Sequence, residues 1–296
     1  MLVVSIGALA AASLAACGST SAAGTASTTT YGTAQYGASP THPSPAEQAA
    51  TLAATAGYRR ALLTAAESYA GDVQRLEAAI GAGDLSAARS DELAAQRDYD
   101  VLRPNIQPDS ATANAIDGEA WSTGSGSFAG LHAVERSLWN GSGTSGAARD
   151  AAQLVNSSAT VAFLFYRAIL TPQQISAQAQ STLDWVVDVP IQQREELYSH
   201  DNMLDVAASI DAARSAYELV APLGRMVDPA TTTLVAARFA TLDSALGQRG
   251  DVASRLDDSI STAQWHTLAV DVDAVDAPLG TLTGDLAGFG SGRLYA

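Results

Sequence analysis

The sequence predicts an all-α protein, and three observations carry that expectation. Alanine supplies much of the 47% apolar content, and alanine is the strongest helix former while contributing little to sheets. Apolar residues recur at mixed three- and four-residue spacing, and no segment alternates convincingly with period two. Helix-start signals recur: Ser44-Pro45-Ala46-Glu47 and Thr171-Pro172-Gln173-Gln174 both read as capping boxes with proline at the first helical position.

The elements follow in order. Residues 1–16 are small and apolar, too short a run to span a bilayer, and they fit the core of a secretory signal peptide. The run ends in Leu14-Ala15-Ala16-Cys17-Gly18, which looks like a bacterial lipobox, with Cys17 the lipidated first residue of the mature chain. Cys17 is the only cysteine, so no intrachain disulfide is available to it. Residues 17–45 lack Asp, Glu, Lys and Arg and read as a flexible tether. The domain is expected over 46–290.

A long helix from Pro45 carries Leu52, Leu62, Leu63, Tyr69, Val73, Leu76 and Ile80, and Gly81 and Gly83 stop it. Asp84 caps a second helix, expected to end before Pro104. Residues 103–127 read as irregular. A third helix spans Leu131–Trp139, and a glycine-serine loop runs from Asn140 to Gly146. A fourth helix covers about 147–170. The fifth begins at Thr171 and is ended by Pro190. A short helix is expected from Ile191 to His200, another from Asn202 to Pro222, one from Asp228-Pro229 to Gly247, and two more before Gly288. Connections of this length imply antiparallel bundles.

Charge narrows the function. The chain has 16 basic residues, all arginine, against 31 acidic ones, a formal net charge of −15. Such a surface repels polyanions, so nucleic acid is not an expected partner, while cation handling suits it. Two places concentrate metal-ligating side chains. In Gly130-Leu131-His132-Ala133-Val134-Glu135, His132 and Glu135 stand three apart and share a helix face. In Glu195-Glu196-Leu197-Tyr198-Ser199-His200, Glu196 and His200 stand four apart, with Asp201 and Asp205 just beyond. An imidazole and carboxylates can share a cation, and such nitrogen and oxygen donors suit iron, manganese or zinc. Each pair alone is also what an exposed helix ion pair looks like.

The stretch Gly130-Leu131-His132-Ala133-Val134-Glu135-Arg136-Ser137-Leu138-Trp139 resembles the G-x-H-x-x-E-x-x-L-W signature of the imelysin-like family. Glu195 through Tyr198-Ser199-His200 to Ala216-Tyr217-Glu218-Leu219 resembles its second block. Together with the lipobox, the similarity points to the EfeM/EfeO type of bacterial iron-uptake lipoprotein, and residues 18–46 are too short for the extra cupredoxin domain some of these carry. The resemblance implies two four-helix bundles with a metal site between helices. By position it implies His132, Glu135, Glu196 and His200 as ligands, with Asp150 the nearest candidate for a further aspartate. It implies iron, Fe2+ or Fe3+, as the bound ion, zinc or another divalent ion being an option. It also implies a membrane iron permease and a secreted haem peroxidase as partners, and lipid anchoring at the outer face of the cytoplasmic membrane. The chain departs from the family where Asn202 replaces a frequent aspartate, and where the acidic segment shrinks to Asp117-Gly118-Glu119. Two other readings stay open: a metallopeptidase, since some relatives bear that label, and a structural envelope lipoprotein with a decayed site. The peptidase pattern H-E-x-x-H is absent. A ferritin-like di-iron oxidase would repeat Glu-x-x-His on two helices, whereas here His-x-x-Glu occurs once. His266 reads as a core or half-buried histidine, and Asp271, Asp273 and Asp276 as a solvated helix face.

Overall fold

A computed structural model describes residues 43–106, 110–118, 127–168, 170–247 and 257–289. The leader, Cys17 and the tether up to residue 42 lie outside the described residues, as do Glu119 and Trp121. Among the described residues nine α-helices form: α1 (Pro45–Ala82), α2 (Leu85–Ile106), α3 (Ser110–Asp117), α4 (Leu131–Trp139), α5 (Gly143–Arg167), α6 (Pro172–Asp188), α7 (Asn202–Val227), α8 (Pro229–Gly247) and α9 (Thr262–Asp285). The fold is all-α. Helices α1, α2, α4 and α5 pack into one bundle and α6 to α9 into a second, with α1 and α2 also laid against α6 and α7. No helix among the described residues is long and apolar enough to cross a membrane.

The caps act as the sequence requires. Ser44 Oγ accepts from Glu47 N–H while the Glu47 carboxylate accepts from Ser44 N–H. Thr171 and Gln174 do the same for α6, and Ser261 and Gln264 for α9. The first helix closes on Gly83, whose φ of 74° lets its N–H reach back to the last carbonyls. α1 buries Leu62, Tyr69, Val73, Leu76 and Ile80, and α2 buries Ala88, Ala95, Tyr99, Leu102 and Ile106. Tyr69 and Tyr99 meet with ring centroids 6.0 Å apart.

Several boundaries differ from expectation. α2 runs through Pro104 to Ile106, and α7 through Pro222 to Val227. A proline costs one backbone bond and some strain, and burial of Ile106 and Leu223 on either continuation outweighs it. Residues 110–117, expected irregular, form α3, and α5 starts at Gly143 inside the expected loop. One helix, α9, occupies most of the carboxyl end instead of two.

The segment 191–200 is the largest correction. Only Pro190–Gln192 makes a 3-10 turn, and the rest is irregular. Gln193 and His200 have φ of 57° and 61°, left-handed values incompatible with a right-handed helix. The Asn202 side chain substitutes for helical bonding. Its Oδ1 accepts from the N–H groups of Glu195 and Glu196 at 3.1 and 3.2 Å. The amide in turn donates to Asp257 Oδ2 at 2.6 Å.

Candidate metal centre

Five segments converge where the bundles meet. On α2, Glu92, Gln96, Asp100 and Arg103 recur at four- and three-residue intervals and so line one face. The end of α3 supplies Asp117. Antiparallel bridges from Asp117 to Gly130 and from Gly118 to Ala129 then bring the chain back to start α4, which carries His132 and Glu135. The irregular turn supplies Glu195, Glu196 and Ser199, and α7 supplies Asp205.

Gly130 explains its own place in the motif. Its φ is +64°, and a Cβ there would lie 1.9 Å from the Ile116 carbonyl oxygen. Only glycine lets the returning strand touch the end of α3 and still launch α4 with His132 inward.

All these side chains are buried. Glu92, His132, Glu135, Glu195 and Glu196 are each at most 1% exposed. Among the described residues seven carboxylates — Glu92, Asp100, Asp117, Glu135, Glu195, Glu196 and Asp205 — share this interior with one arginine and one histidine. So much unbalanced charge is costly unless protons or a cation neutralise it.

The imidazole divides the cluster. On its Nε2 side stand Asp117 Oδ1 at 3.1 Å and Glu195 Oε1 at 3.7 Å. Asp117, His132 and Glu195 each bring one ligand atom within 4.8 Å of the others, a grouping able to hold a metal ion. The Arg103 guanidinium already occupies this side. It donates to Asp117, to Asp100 at 2.8 Å and to Glu195 at 2.5 Å.

On the Nδ1 side stands Glu135, with Oε2 at 3.9 Å. Glu135 Oε1 accepts from the N–H groups of Tyr198 and Ser199 at 2.7 and 2.9 Å. Ser199 Oγ donates to Glu196 Oε2 at 2.5 Å, so this one serine joins the two glutamates. Among the described residues, Glu135 Oε2, Glu196 Oε1 and both oxygens of Glu92 have no hydrogen-bond partner.

The titration directions follow from this layout. Burial pushes the Glu92 carboxyl well above the usual range, and the Glu135 charge adds to the push. Burial and Glu135 do the same to Glu196, and burial and Asp100 to Asp205. Asp100 is pushed up to about 7, mainly by burial, with Arg103 opposing. For Asp117 burial also pushes upward, but Arg103 and His132 overcome it and hold the carboxyl below its ordinary value. Burial alone would depress His132, yet Asp117 chiefly holds it well above the ordinary imidazole range.

His132, Glu135 and Glu196, expected from the sequence, come together here. Asp150 and His200 do not. Asp150 is half-buried on α5, 4.0 Å from the exposed Arg149. His200 is exposed, because the turn that replaces the expected helix directs Glu196 inward and His200 outward; its charge favours the carboxylate forms of Asp201 and Asp257. His266 is exposed too, while its neighbour Trp265 is buried. The sequence reading missed Glu92, Asp100 and Arg103, and named Asp117, Glu195 and Asp205 only as parts of acidic segments, not as members of the cluster. The available signal was the polar row Glu92-Gln96-Asp100-Arg103 on the same helix face as Ala88, Ala95 and Tyr99.

The family model described as imelysin matches residues 54–282. Among curated proteins the chain is similar to the iron uptake system component EfeO of Escherichia coli K12, with 23% identity over 238 residues, 79% of this chain and 62% of that protein. It is similar to the EfeO of Yersinia pseudotuberculosis, with 25% identity over 213 residues, 71% of this chain and 55% of that protein. The chain thus spans about 60% of the length of these relatives.

Proposed function

The chain belongs to the imelysin family, and we propose that it captures one iron ion outside the cytoplasmic membrane and passes it to a membrane iron permease. The observation that carries this reading is the buried Glu92–Glu135–Glu196 group beside His132, where, among the described residues, both oxygens of Glu92, Glu135 Oε2 and Glu196 Oε1 have no hydrogen-bond partner. His132 Nδ1 and these three glutamates are the proposed ligands. A hard set of three carboxylates and one imidazole suits iron, Fe2+ or Fe3+, and accepts zinc or manganese as surrogates. Iron as the physiological ion rests on the similar proteins, which are iron-uptake components. A secreted haem peroxidase of the same system is a further proposed partner.

The Asn202 departure does not argue for a decayed site. Its amide holds the backbone of Glu195 and Glu196 and donates to Asp257, a donation no carboxylate could make. Peptidase chemistry is disfavoured on geometry. A catalytic zinc keeps an open position for water and needs room for a peptide, whereas His132, Glu135 and Glu196 are each at most 1% exposed.

Dialysis of the domain, residues 46–296, against iron or Mn2+ followed by metal analysis should return one ion per chain. The same preparation should hydrolyse neither casein nor a mixed peptide library. An ion-free domain, or hydrolysis lost in His132→Ala, would overturn the reading. Attachment to the membrane through lipid on Cys17 belongs to the same proposal. Fractionation of cells carrying Cys17→Ser should find the protein released or unprocessed, and unchanged attachment would refute it.

A further inference from the structure

We propose that Arg103 is a resident cation that fills one half of a divided acidic centre and thereby limits that centre to a single metal ion. The inference rests on the metal-capture reading above and concerns the other side of His132.

That side has the makings of a second site. Asp117, His132 and Glu195 present ligand atoms within 4.8 Å of one another. Asp100 is reached by the same guanidinium. The side chains of Asp100, Asp117 and Glu195 are each at most 2% exposed. Among the described residues Asp100 Oδ2 and Glu195 Oε2 have no hydrogen-bond partner, and Asp117 Oδ1 lies 3.1 Å from His132 Nε2, so the guanidinium uses only one oxygen of each carboxylate. Three carboxylates and an imidazole nitrogen repeat the donor set proposed on the Nδ1 side.

Arg103 keeps a second ion out in two ways. Its charge already compensates one of the three carboxylates, and it would repel a dication seated among them. Its position is also fixed. The guanidinium stacks 4.0 Å from the Trp185 ring centroid and 4.9 Å from that of Tyr99, with 4% of the side chain exposed. A planar fork with donors on both terminal nitrogens bonds all three carboxylates at once, and a lysine ammonium could not reproduce that geometry while stacking. Without Arg103 the imidazole would have a carboxylate-bound ion available at each nitrogen. With Arg103 in place, Nε2 stands 3.1 Å from Asp117 Oδ1, a contact that orients the ring.

The test is a Mn2+ titration of the domain with three readouts: bound ions per chain, helical circular dichroism, and electron paramagnetic resonance for coupling between neighbouring ions. Wild type and Arg103→Lys should bind one ion. Arg103→Met should bind one more than wild type, show a spin-coupled pair, and lose the added ion in the background of Asp117→Asn. Because the methionine variant leaves buried carboxylates uncompensated, it is prepared with Mn2+ present, which should restore its helical signal. No added ion in Arg103→Met, or a variant that saturating Mn2+ fails to fold, would overturn the inference. The difference between variant and wild type reads the role of Arg103, while the wild-type stoichiometry by itself reads the capture proposal, so the two can fail separately.

Discussion

Glu92→Gln should abolish most of the thermal stabilisation that iron confers, and should raise the melting temperature of the metal-free domain. Both signs come from one fact: Glu92 is fully buried, with neither oxygen hydrogen-bonded among the described residues. In the metal-free protein the buried carboxyl must take up a proton above the ordinary carboxyl range, a cost that an isosteric neutral amide removes. In the loaded protein the same carboxyl, ionised, is a ligand. A ligand at a hundredfold excess over Kd adds about 2.7 kcal/mol to the folded state. For a chain of this size that corresponds to a rise of roughly 5–10 °C. Replacing a partner that merely supports a metal ligand costs about 10–100-fold in affinity, so loss of a ligand itself should cost at least about 100-fold. His132→Ala should remove the shift equally. Asp150→Asn and His200→Ala should leave it unchanged, because one side chain sits beside Arg149 and the other is exposed. Differential scanning fluorimetry with and without Mn2+ or anaerobic Fe2+ measures all of these. A full metal-induced shift in Glu92→Gln would remove Glu92 from the ligand set.

What the sequence disclosed was what local chemistry determines. The capping boxes at Ser44 and Thr171 are satisfied within three residues, so they are readable without tertiary knowledge. The motif from Gly130 to Glu135 is local as well, since a glycine turn followed by one helical turn sets both proposed ligands. Glu196 was found by resemblance although its local structure was misread. Helical spacing had paired it with His200, and the pairing failed because the Asn202 amide, seven residues past Glu195, captures the backbone and replaces the helix. Glu92, Asp100 and Arg103 were hidden for a different reason. A polar row on an amphipathic helix reads as a solvated face, and only the approach of α4 and the 195–202 turn buries it. Asp117 and Glu195 reach His132 across 15 and 63 residues of chain, separations at which no periodicity carries information.

The metal-free and metal-loaded domains should respond to pH in opposite directions. Glu92, Glu196 and Asp205 have raised carboxyl values in the folded state, and Asp100 is pushed to about 7. Between the ordinary carboxyl range, about 4, and those raised values, the folded chain holds protons that the unfolded chain has released. Stability therefore falls as pH climbs through that window. The raised His132 acts in the same sense: its contribution is complete below the ordinary imidazole value and is lost as pH rises through the folded one. Half-buried Asp201, pushed to about 6, adds to the trend. Asp117, held below its ordinary value, opposes only at the acid extreme. The metal-free melting temperature should accordingly drop from pH 5.5 to pH 8. Metal binding runs the other way, because the ion needs Glu92 and Glu196 ionised and Nδ1 of His132 free of its proton. The metal-induced shift should grow over the same interval, and addition of Mn2+ near neutrality should release more than one proton per ion in a weakly buffered titration. A metal-free melting temperature that rises with pH would mean that the buried carboxylates are compensated by some other cation. A metal shift independent of pH would mean that the ion binds the solvated acidic surface, where carboxylates are already ionised, rather than the interior around His132.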